Sequence, residues 1–228
     1  MYRVFIGFDP REAVVFHACV NSLIRHSSRS LAITPLSLNN LQHDYTEDHG
    51  DGSNAFTYSR FLVPYLCDFE GQALYLDGDM IVRNDIIELF ETPGDFDVAV
   101  VKHDYTTVSE KKYFSSVNPN YPRKNWSSVV LWNCQAKSNH VLTPEFVRKS
   151  PGSLLHRFQW TTDDRIHSLP FGWNWLVGEY PNNDHASLYH YTLGSPCFPE
   201  YADGPHSEDW WQEFYSLVHP IEGMDKGD

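Results

Sequence analysis

The chain has 228 residues, with 17 Lys and Arg against 30 Asp and Glu, so its formal net charge is −13 at pH 7. An acidic protein repels polyanions, which argues against a nucleic-acid or anionic-membrane surface. At this length we expect one domain over residues 1–228 with a core that needs no structural metal or disulfide. Any metal bound here is therefore expected to be functional.

The cysteines are widely spaced, and no Cys-x-x-Cys pair indicates zinc binding or a redox motif. No apolar run approaches the length of a transmembrane helix. A strand-like run begins at Tyr2, which leaves no room for a signal peptide. The sequence therefore predicts a cytoplasmic protein, with free thiols in a reducing compartment at Cys19, Cys67, Cys134 and Cys197.

The opening of the chain predicts a β-α-β unit. Residues 2–8 form a β-rich, largely apolar run. Asp9 is a suitable N-cap, Pro10 suits the first helical position, and Glu12 completes a capping box, so a helix should follow. A second strand is expected over residues 31–38. This order is typical of an α/β domain.

The remainder of the chain keeps this α/β character. Residues 39–54 and 109–124 are polar and predict loops. The further predicted strands are residues 73–76, 97–103, 128–132 and 188–193, and the further predicted helices are residues 57–66, 143–149, 152–158 and a last helix from Ser207.

Two acidic residues flank a glycine directly after the predicted strand 73–76, where the sequence reads Leu-Tyr-Leu-Asp-Gly-Asp-Met-Ile-Val over residues 74–82. In extended backbone, residues two apart face the same side, so Asp77 and Asp79 can converge while Gly78 leaves room for close approach. Magnesium and manganese bind carboxylates together with phosphate oxygens. Ligands of open α/β sheets also bind beyond the carboxyl ends of strands. The motif therefore predicts a divalent cation that binds a diphosphate.

The same residues also suit a β-hairpin. Asp-Gly between two apolar segments is the strongest short-range hairpin signal. The hairpin and the cation site both remain possible at the level of this motif.

Several ordered motifs between residues 5 and 201 resemble GT-A fold glycosyltransferases, in particular glycosyltransferase family 8. The Asp77-Gly78-Asp79 motif resembles the metal-binding Asp-x-Asp of that family, and His190 in His-Tyr-Thr-Leu-Gly-Ser-Pro resembles its third metal ligand. The resemblance implies an α/β, Rossmann-like domain with a mixed, mostly parallel central sheet flanked by helices. Its nucleotide-binding part would cover about residues 1–103 and its acceptor-side part about 104–228. Mn²⁺, or Mg²⁺, would be held by Asp77, Asp79 and His190.

The resemblance also implies residues that bind the donor. Phe8 and Asp9 resemble a strand end that cups the base and ribose, although the role of helix cap already suffices for Asp9. Arg60, in Tyr-Ser-Arg-Phe, would contact the diphosphate or the sugar. A surface arginine that caps a helix is the alternative for Arg60. Gly78 and Gly194 would let the backbone approach the phosphates.

The C-terminal motif departs from the family pattern in two ways. Gly194 lies one residue later than the usual spacing, and the lysine normally found before the proline is absent. These departures concern the residues that hold the diphosphate. Arg60 or Lys102 could substitute for the missing lysine.

Three further residues are implied in catalysis. Asn125 resembles the asparagine that the family presents to the donor sugar, although this chain has one residue more before Asn133. Asp163 and Asp164 resemble an acidic motif that borders the reacting sugar, where they could stabilise a cationic sugar or orient the acceptor. Their alternative role is to cap the following turn.

The resemblance implies a metal-dependent glycosyltransferase that moves a hexose or deoxyhexose from a nucleoside-diphosphate sugar, of UDP type, to an acceptor hydroxyl on a glycan. A non-catalytic nucleotide-sugar or carbohydrate-binding domain of the same fold is the first alternative, because the lysine is absent. A phosphatase of the haloacid dehalogenase type is the second. Its Asp-x-Asp normally opens the domain and continues into a small hydroxyl residue, whereas Met80 follows here.

Overall fold

The computed structural model describes residues 1–50, 52–113 and 116–219. In chain order the strands are β1 (Tyr2–Gly7), β2 (Leu31–Leu36), β3 (Gln72–Leu76), β4 (Met80–Val82), β5 (Val98–Val100), β6 (Val129–Asn133), β7 (Ile166–Ser168), β8 (Trp175–Leu176) and β9 (Leu188–His190). The α-helices are α1 (Ala13–Arg25), α2 (Leu38–Leu41), α3 (Val63–Leu66), α4 (Ile87–Phe90), α5 (Pro144–Lys149), α6 (Gly152–His156) and α7 (Ser207–Val218).

The strands form two sheets. The large sheet has the order β2-β1-β3-β6-β5-β7, and the small sheet has the order β4-β9-β8. In the large sheet β1 is parallel to β2 and β3, and β7 is parallel to β5, whereas β6 runs antiparallel to both of its neighbours. The predicted α/β class with a mixed, mostly parallel central sheet is confirmed.

The large sheet is buried on both faces. Successive side chains of a strand point to opposite faces, so Val4 and Ile6 enter one apolar cluster while Phe5 enters another. A third cluster lies between α1, α7 and the small sheet and includes the fully buried Trp210. Each large apolar side chain buried in this way contributes roughly 1.5 to 3 kcal/mol. This packing holds the central strands rigidly, and with them the residues that follow their carboxyl ends.

The Asp77-Gly78-Asp79 turn carries the chain from one sheet to the other. β3 pairs with β1 and β6 in the large sheet, whereas β4 pairs with β9 in the small sheet. Asp77 N donates to Ser128 O at 2.9 Å, and Tyr191 N donates to Asp79 O at 2.9 Å. The hairpin alternative is therefore wrong, because each side of the turn finds a different partner strand.

Some local predictions differ from the structure. Helix α2 begins at Leu38, the last residue of the predicted strand 31–38, and occupies the start of the predicted loop 39–54. Three very short elements, α4, β7 and β8, were not predicted. The predicted strands 97–103 and 188–193 end early, at residues 100 and 190. The predicted helix 57–66 consists of a 3₁₀ turn, Ser59–Leu62, followed by α3.

The predicted capping box forms only in part. The Asp9 side chain accepts from Arg11 N, and a 3₁₀ turn, Pro10–Glu12, precedes α1. Glu12 is instead buried, and its carboxylate hydrogen-bonds to Tyr113. Asp9 therefore caps the first turn as expected, whereas Glu12 does not complete the capping box and contacts Tyr113 instead.

The four cysteines are free, as predicted. Among the described residues, no helix has the length and apolarity needed to cross a membrane.

Candidate active site

A cavity of about 290 Å³ opens beside the carboxyl end of β3. Asp77, Asp79 and His190 lie on its wall, together with residues of three loops. One of these, residues 107–113 and 116–124, is called the cavity segment below. The cavity thus lies where α/β sheets generally bind their ligands.

Asp77, Asp79 and His190 converge on one point. Each residue offers one ligand atom, and these atoms lie within 4.8 Å of one another. His190 is opposite Met80 in the antiparallel pairing of β4 and β9, so its ring lies next to Asp79. Its Nε2 is 3.3 Å from Asp79 Oδ1. The structure therefore brings together the three residues that the sequence analysis assigned to the metal.

A hydrogen bond fixes the orientation of His190. Its Nδ1 lies 2.8 Å from Oδ1 of the buried Asn174, whose Nδ2 donates to Asn125 O at 3.1 Å. Because Asn174 uses its amide nitrogen on that carbonyl, its oxygen must accept from His190 Nδ1, and Nε2 is the ring nitrogen that faces Asp79. The sequence analysis missed Asn174; an amide between two tryptophans was the available signal.

The chemistry of this group suits a divalent cation. Asp79 Oδ1 is buried and has no hydrogen-bond partner among the described residues, and His190 Nε2 lies 3.3 Å from it. An unsatisfied buried carboxylate oxygen is costly, and a cation would satisfy it. Two carboxylates with one imidazole fit Mn²⁺ well, while Mg²⁺ prefers oxygen ligands.

Two buried residues, Tyr75 and Arg60, hold the Asp77 carboxylate in place. Tyr75 Oη donates to Asp77 Oδ1 at 2.6 Å, and Arg60 Nη1 is 2.8 Å from the same oxygen. Arg60 is only 5% exposed and also donates to Ser127 O and Thr57 O. The alternative of a surface arginine is therefore wrong. Arg60 lies on the cavity wall and orients Asp77.

The glycine between the two acids is required by the fold itself. A Cβ at Gly78 would lie 2.6 Å from Gly7 O, so the turn could not approach β1 with any larger residue. Gly7 is covered in turn by the ring of Phe56. The room that Gly78 leaves is thus taken by the backbone of β1.

Phe8 and Asp9 follow the end of β1 and are not among the residues that offer a ligand atom to the metal group. Phe8 packs edge-on against Phe16 with 5.2 Å between ring centroids. Burial alone would raise the pKa of Asp9, but hydrogen bonds from Arg11 and from Ala55 N lower it below its usual value. The Asp9 carboxylate is therefore engaged with the protein, while Asp9 also borders a narrow cleft that reaches Asp79.

Glu12 borders the same cleft and was not assigned to the site from sequence. Its Oε1 is buried without a hydrogen-bond partner among the described residues. Burial, with a further contribution from the Asp79 charge, raises the pKa of Glu12 to about 7. Glu12 thus adds a buried carboxylate oxygen without a partner among the described residues to the cleft that reaches Asp79.

The cavity segment brings two lysines to the cavity wall, and neither was recognised from sequence. Lys112 Nζ donates to Thr192 Oγ1 at 2.9 Å. Lys124 Nζ donates to Asn118 Oδ1 at 2.5 Å, and burial lowers the pKa of Lys124 to about 8. Lys102, which the sequence analysis offered as a substitute cation, instead lies 5.8 Å from the ring centroid of Trp126.

The remaining predicted residues differ in their placement. Asn125 lines the cavity in a left-handed conformation, with φ of 62°, and its Nδ2 donates to Tyr105 Oη at 2.9 Å. Asp163 and Asp164 are exposed, and Asp163 pairs with Arg123 at the edge of a neighbouring cleft. The space over Gly194 is filled by the Tyr201 ring, so packing within this chain accounts for that glycine.

Known structures share this architecture. The WbbM bifunctional glycosyltransferase superposes with a TM-score of 0.65 at 19% identity over 93% of this chain. The glycosyltransferase GlyE of Streptococcus pneumoniae gives 0.61 at 21% identity over 96% of it. This chain spans 49% of the WbbM chain and 63% of the GlyE chain. The galactosyltransferase LgtC gives 0.56 at 12% identity and is covered to 98%. The chain thus has the GT-A glycosyltransferase fold.

Comparison with related sequences shows the family to which the chain belongs. No protein-family model matches the chain. A stretch of 46 residues, 20% of the chain, is 39% identical to Glycosyltransferase 8 domain-containing protein 1 of Rattus norvegicus and covers 12% of that protein. Over 221 residues, 93% of this chain and 85% of the relative, the sequence is 38% identical to Protein CDI of Arabidopsis thaliana. The chain belongs to the same family as Protein CDI.

Proposed function

We propose that this protein is a metal-dependent glycosyltransferase that moves a sugar from a nucleoside-diphosphate sugar, of UDP type, to an acceptor hydroxyl on a glycan. The observation that supports this function is the convergence of Asp77, Asp79 and His190 at a cavity of the GT-A fold. A divalent cation held by these three residues would act as a Lewis acid on the departing diphosphate.

The chain's own residues prepare the site for that chemistry. Tyr75 and Arg60 fix Asp77, and Asn174 fixes the His190 ring, so the ligand atoms need little rearrangement to bind. Preorganised groups of this kind are valuable because they need not reorganise as charge develops in the transition state. Arg60 also places a positive charge at the cavity wall, where negative charge would grow on the leaving group.

Other residues are proposed to act at the sugar. Asn125 is proposed to contact the donor sugar, because it lines the cavity and its backbone carbonyl accepts a hydrogen bond from Asn174. Asp163 and Asp164 are proposed to act at the acceptor side, since they are exposed and Asp163 borders a cleft next to the cavity. They would orient an acceptor that extends across this cleft.

The alternatives predict different results. A haloacid dehalogenase-type phosphatase does not agree with the GT-A fold and is discarded. A non-catalytic binding domain keeps the same fold and would bind the nucleotide sugar without turnover.

A thermal-shift panel tests the proposal. Nucleoside diphosphates and nucleotide sugars would be screened with Mn²⁺ and with EDTA, because stabilisation follows the ratio of ligand concentration to Kd. We expect a shift for uridine diphosphate and its sugars that requires Mn²⁺. Release of the diphosphate in the presence of glycan acceptors then distinguishes a transferase from a binding domain. A panel without any metal-dependent shift would overturn the proposal.

A further inference from the structure

The cavity segment is anchored on two sides. Tyr113 N donates to Leu193 O at 2.7 Å, next to the end of β9. On the other side the buried Glu179 accepts from Asn118 Nδ2 at 3.0 Å and from Val108 N at 2.8 Å. A buried carboxylate with two donors is a strong constraint, since hydrogen bonds to charged groups are about twice as strong as neutral ones. The segment therefore holds its side chains in fixed positions at the cavity wall.

Lys112 lies next to the metal group. Its Nζ donates to Oγ1 of Thr192, a buried residue two positions after His190. Burial lowers the pKa of Lys112, and the charges of Asp79 and Asp77 offset part of this effect. An ammonium group has three N–H donors, and Thr192 takes one of them. Lys112 thus presents a positive charge and further donors toward the place where Asp77 and Asp79 would hold a cation.

The charges around the cavity point to an anion. This acidic protein places three basic side chains on the cavity wall, Arg60, Lys112 and Lys124, against the two aspartates of the metal group. The negative charge of Glu179, which anchors the cavity segment, offsets the third of these positive charges. A divalent cation would then leave an excess of two positive charges. The diphosphate of a nucleotide sugar carries about two negative charges, and about three after the sugar has left.

We propose that Lys112 binds the diphosphate of the donor directly and stabilises it as the leaving group. This inference rests on the proposed function. In the transfer, the bond between the anomeric carbon and the diphosphate oxygen breaks, and its electron pair stays on that oxygen. The acceptor oxygen bonds to the anomeric carbon, and its proton goes to solvent. Lys112 would contact the oxygens that gain this charge, which is where a fixed cation contributes most.

A simpler role for Lys112 is that of a counter-ion to Asp79 in the metal-free protein. In that case its removal would leave diphosphate binding unchanged. The two roles therefore differ in the ligand whose affinity depends on Lys112.

Calorimetric titration of inorganic pyrophosphate and of uridine diphosphate in the presence of Mn²⁺ distinguishes the two roles of Lys112. Lys112→Met removes the charge at similar length, Lys112→Arg keeps it, and Lys111→Met is a matched control at the exposed neighbouring lysine. We expect Lys112→Met to weaken both ligands on the order of 10- to 100-fold, as the loss of a charged hydrogen bond predicts. Binding of Mn²⁺ alone should not weaken. Lys112→Arg and Lys111→Met should stay close to wild type.

Melting curves of each variant with EDTA show whether it is folded, and Lys112→Gln provides a second neutral variant. Affinities of Lys112→Met and Lys112→Gln within about twofold of wild type for both ligands would overturn the role of Lys112 alone. Wild-type protein that binds neither ligand with Mn²⁺ would overturn the proposed function as well.

Discussion

His190 lies opposite Met80 in the pairing of β4 and β9, and this register places its imidazole Nε2 3.3 Å from Asp79 Oδ1. The residues are more than a hundred positions apart in the chain. The pairing of two short strands in the small sheet, directly after the turn that leaves the large sheet, therefore assembles the candidate metal group. A shift of the register by one residue would turn the imidazole to the other face of the small sheet.

The Asp79 carboxylate should be essential for metal binding. Asp79→Asn keeps the shape of the side chain but removes its charge, so we expect Mn²⁺ affinity to fall by more than about 100-fold, beyond the range typical of outer-sphere residues. Calorimetric titration with Mn²⁺ measures this directly. The matched control is Asp163→Asn at the exposed acid. Equal Mn²⁺ affinity in the Asp79→Asn variant and the wild type would contradict the assignment.

Asn174 should influence the metal without contacting it. Asn174→Ala removes the acceptor that orients His190, and loss of such a partner typically costs about 10- to 100-fold in metal affinity. Asn40→Ala, at an exposed asparagine in α2, should have no effect. Melting in EDTA reports the structural cost separately. If Asn174→Ala lost stability but kept wild-type Mn²⁺ affinity, its role would be structural only.

His103 should make a contribution to stability that is lost in acid. This ring is buried, its Nε2 has no hydrogen-bond partner among the described residues, and burial lowers its pKa to about 3. The unfolded chain takes up this proton near pH 6.5 and the folded protein does not, so the stabilising contribution is complete above pH 6.5 and is lost as the pH falls toward 3. At pH 5 the loss amounts to about 2 kcal/mol.

Urea unfolding from pH 7 to pH 5, with EDTA present, measures this effect. His103→Asn should lose less stability over this range than wild type, whatever its stability at pH 7. His185→Asn, at an exposed histidine, should follow the wild-type slope. Parallel slopes for wild type and His103→Asn would contradict this contribution of His103.

Gly78 should not tolerate a methyl group. The added Cβ of Gly78→Ala would meet Gly7 O at 2.6 Å, so β1 or the turn must move, at a cost of about 1 to 3 kcal/mol. Gly172→Ala is the control, since its nearest neighbour would be 3.5 Å away. Urea unfolding compares the two. Equal stability of both variants would mean that the contact between the turn and β1 relaxes freely.

The local elements were predicted well where the signal lies within a few residues. The β1-α1-β2 opening follows from the apolar run, the Asp9 cap and Pro10. The helix from Ser207 was found in the same way. The second half of the capping box failed because Glu12 makes its contacts with Tyr113, far along the chain.

The sequence by itself determined the α/β class and singled out the acidic motif as the candidate cation site, because hydrophobic periodicity, caps and a carboxylate pair are all encoded in neighbouring residues. Tertiary structure decided which strand each side of the Asp77-Gly78-Asp79 turn would join. It also decided that Asn174 would orient His190 and that Lys112, rather than Lys102, would reach the cavity. These contacts join segments that are distant in the chain, and packing of the two sheets selects them.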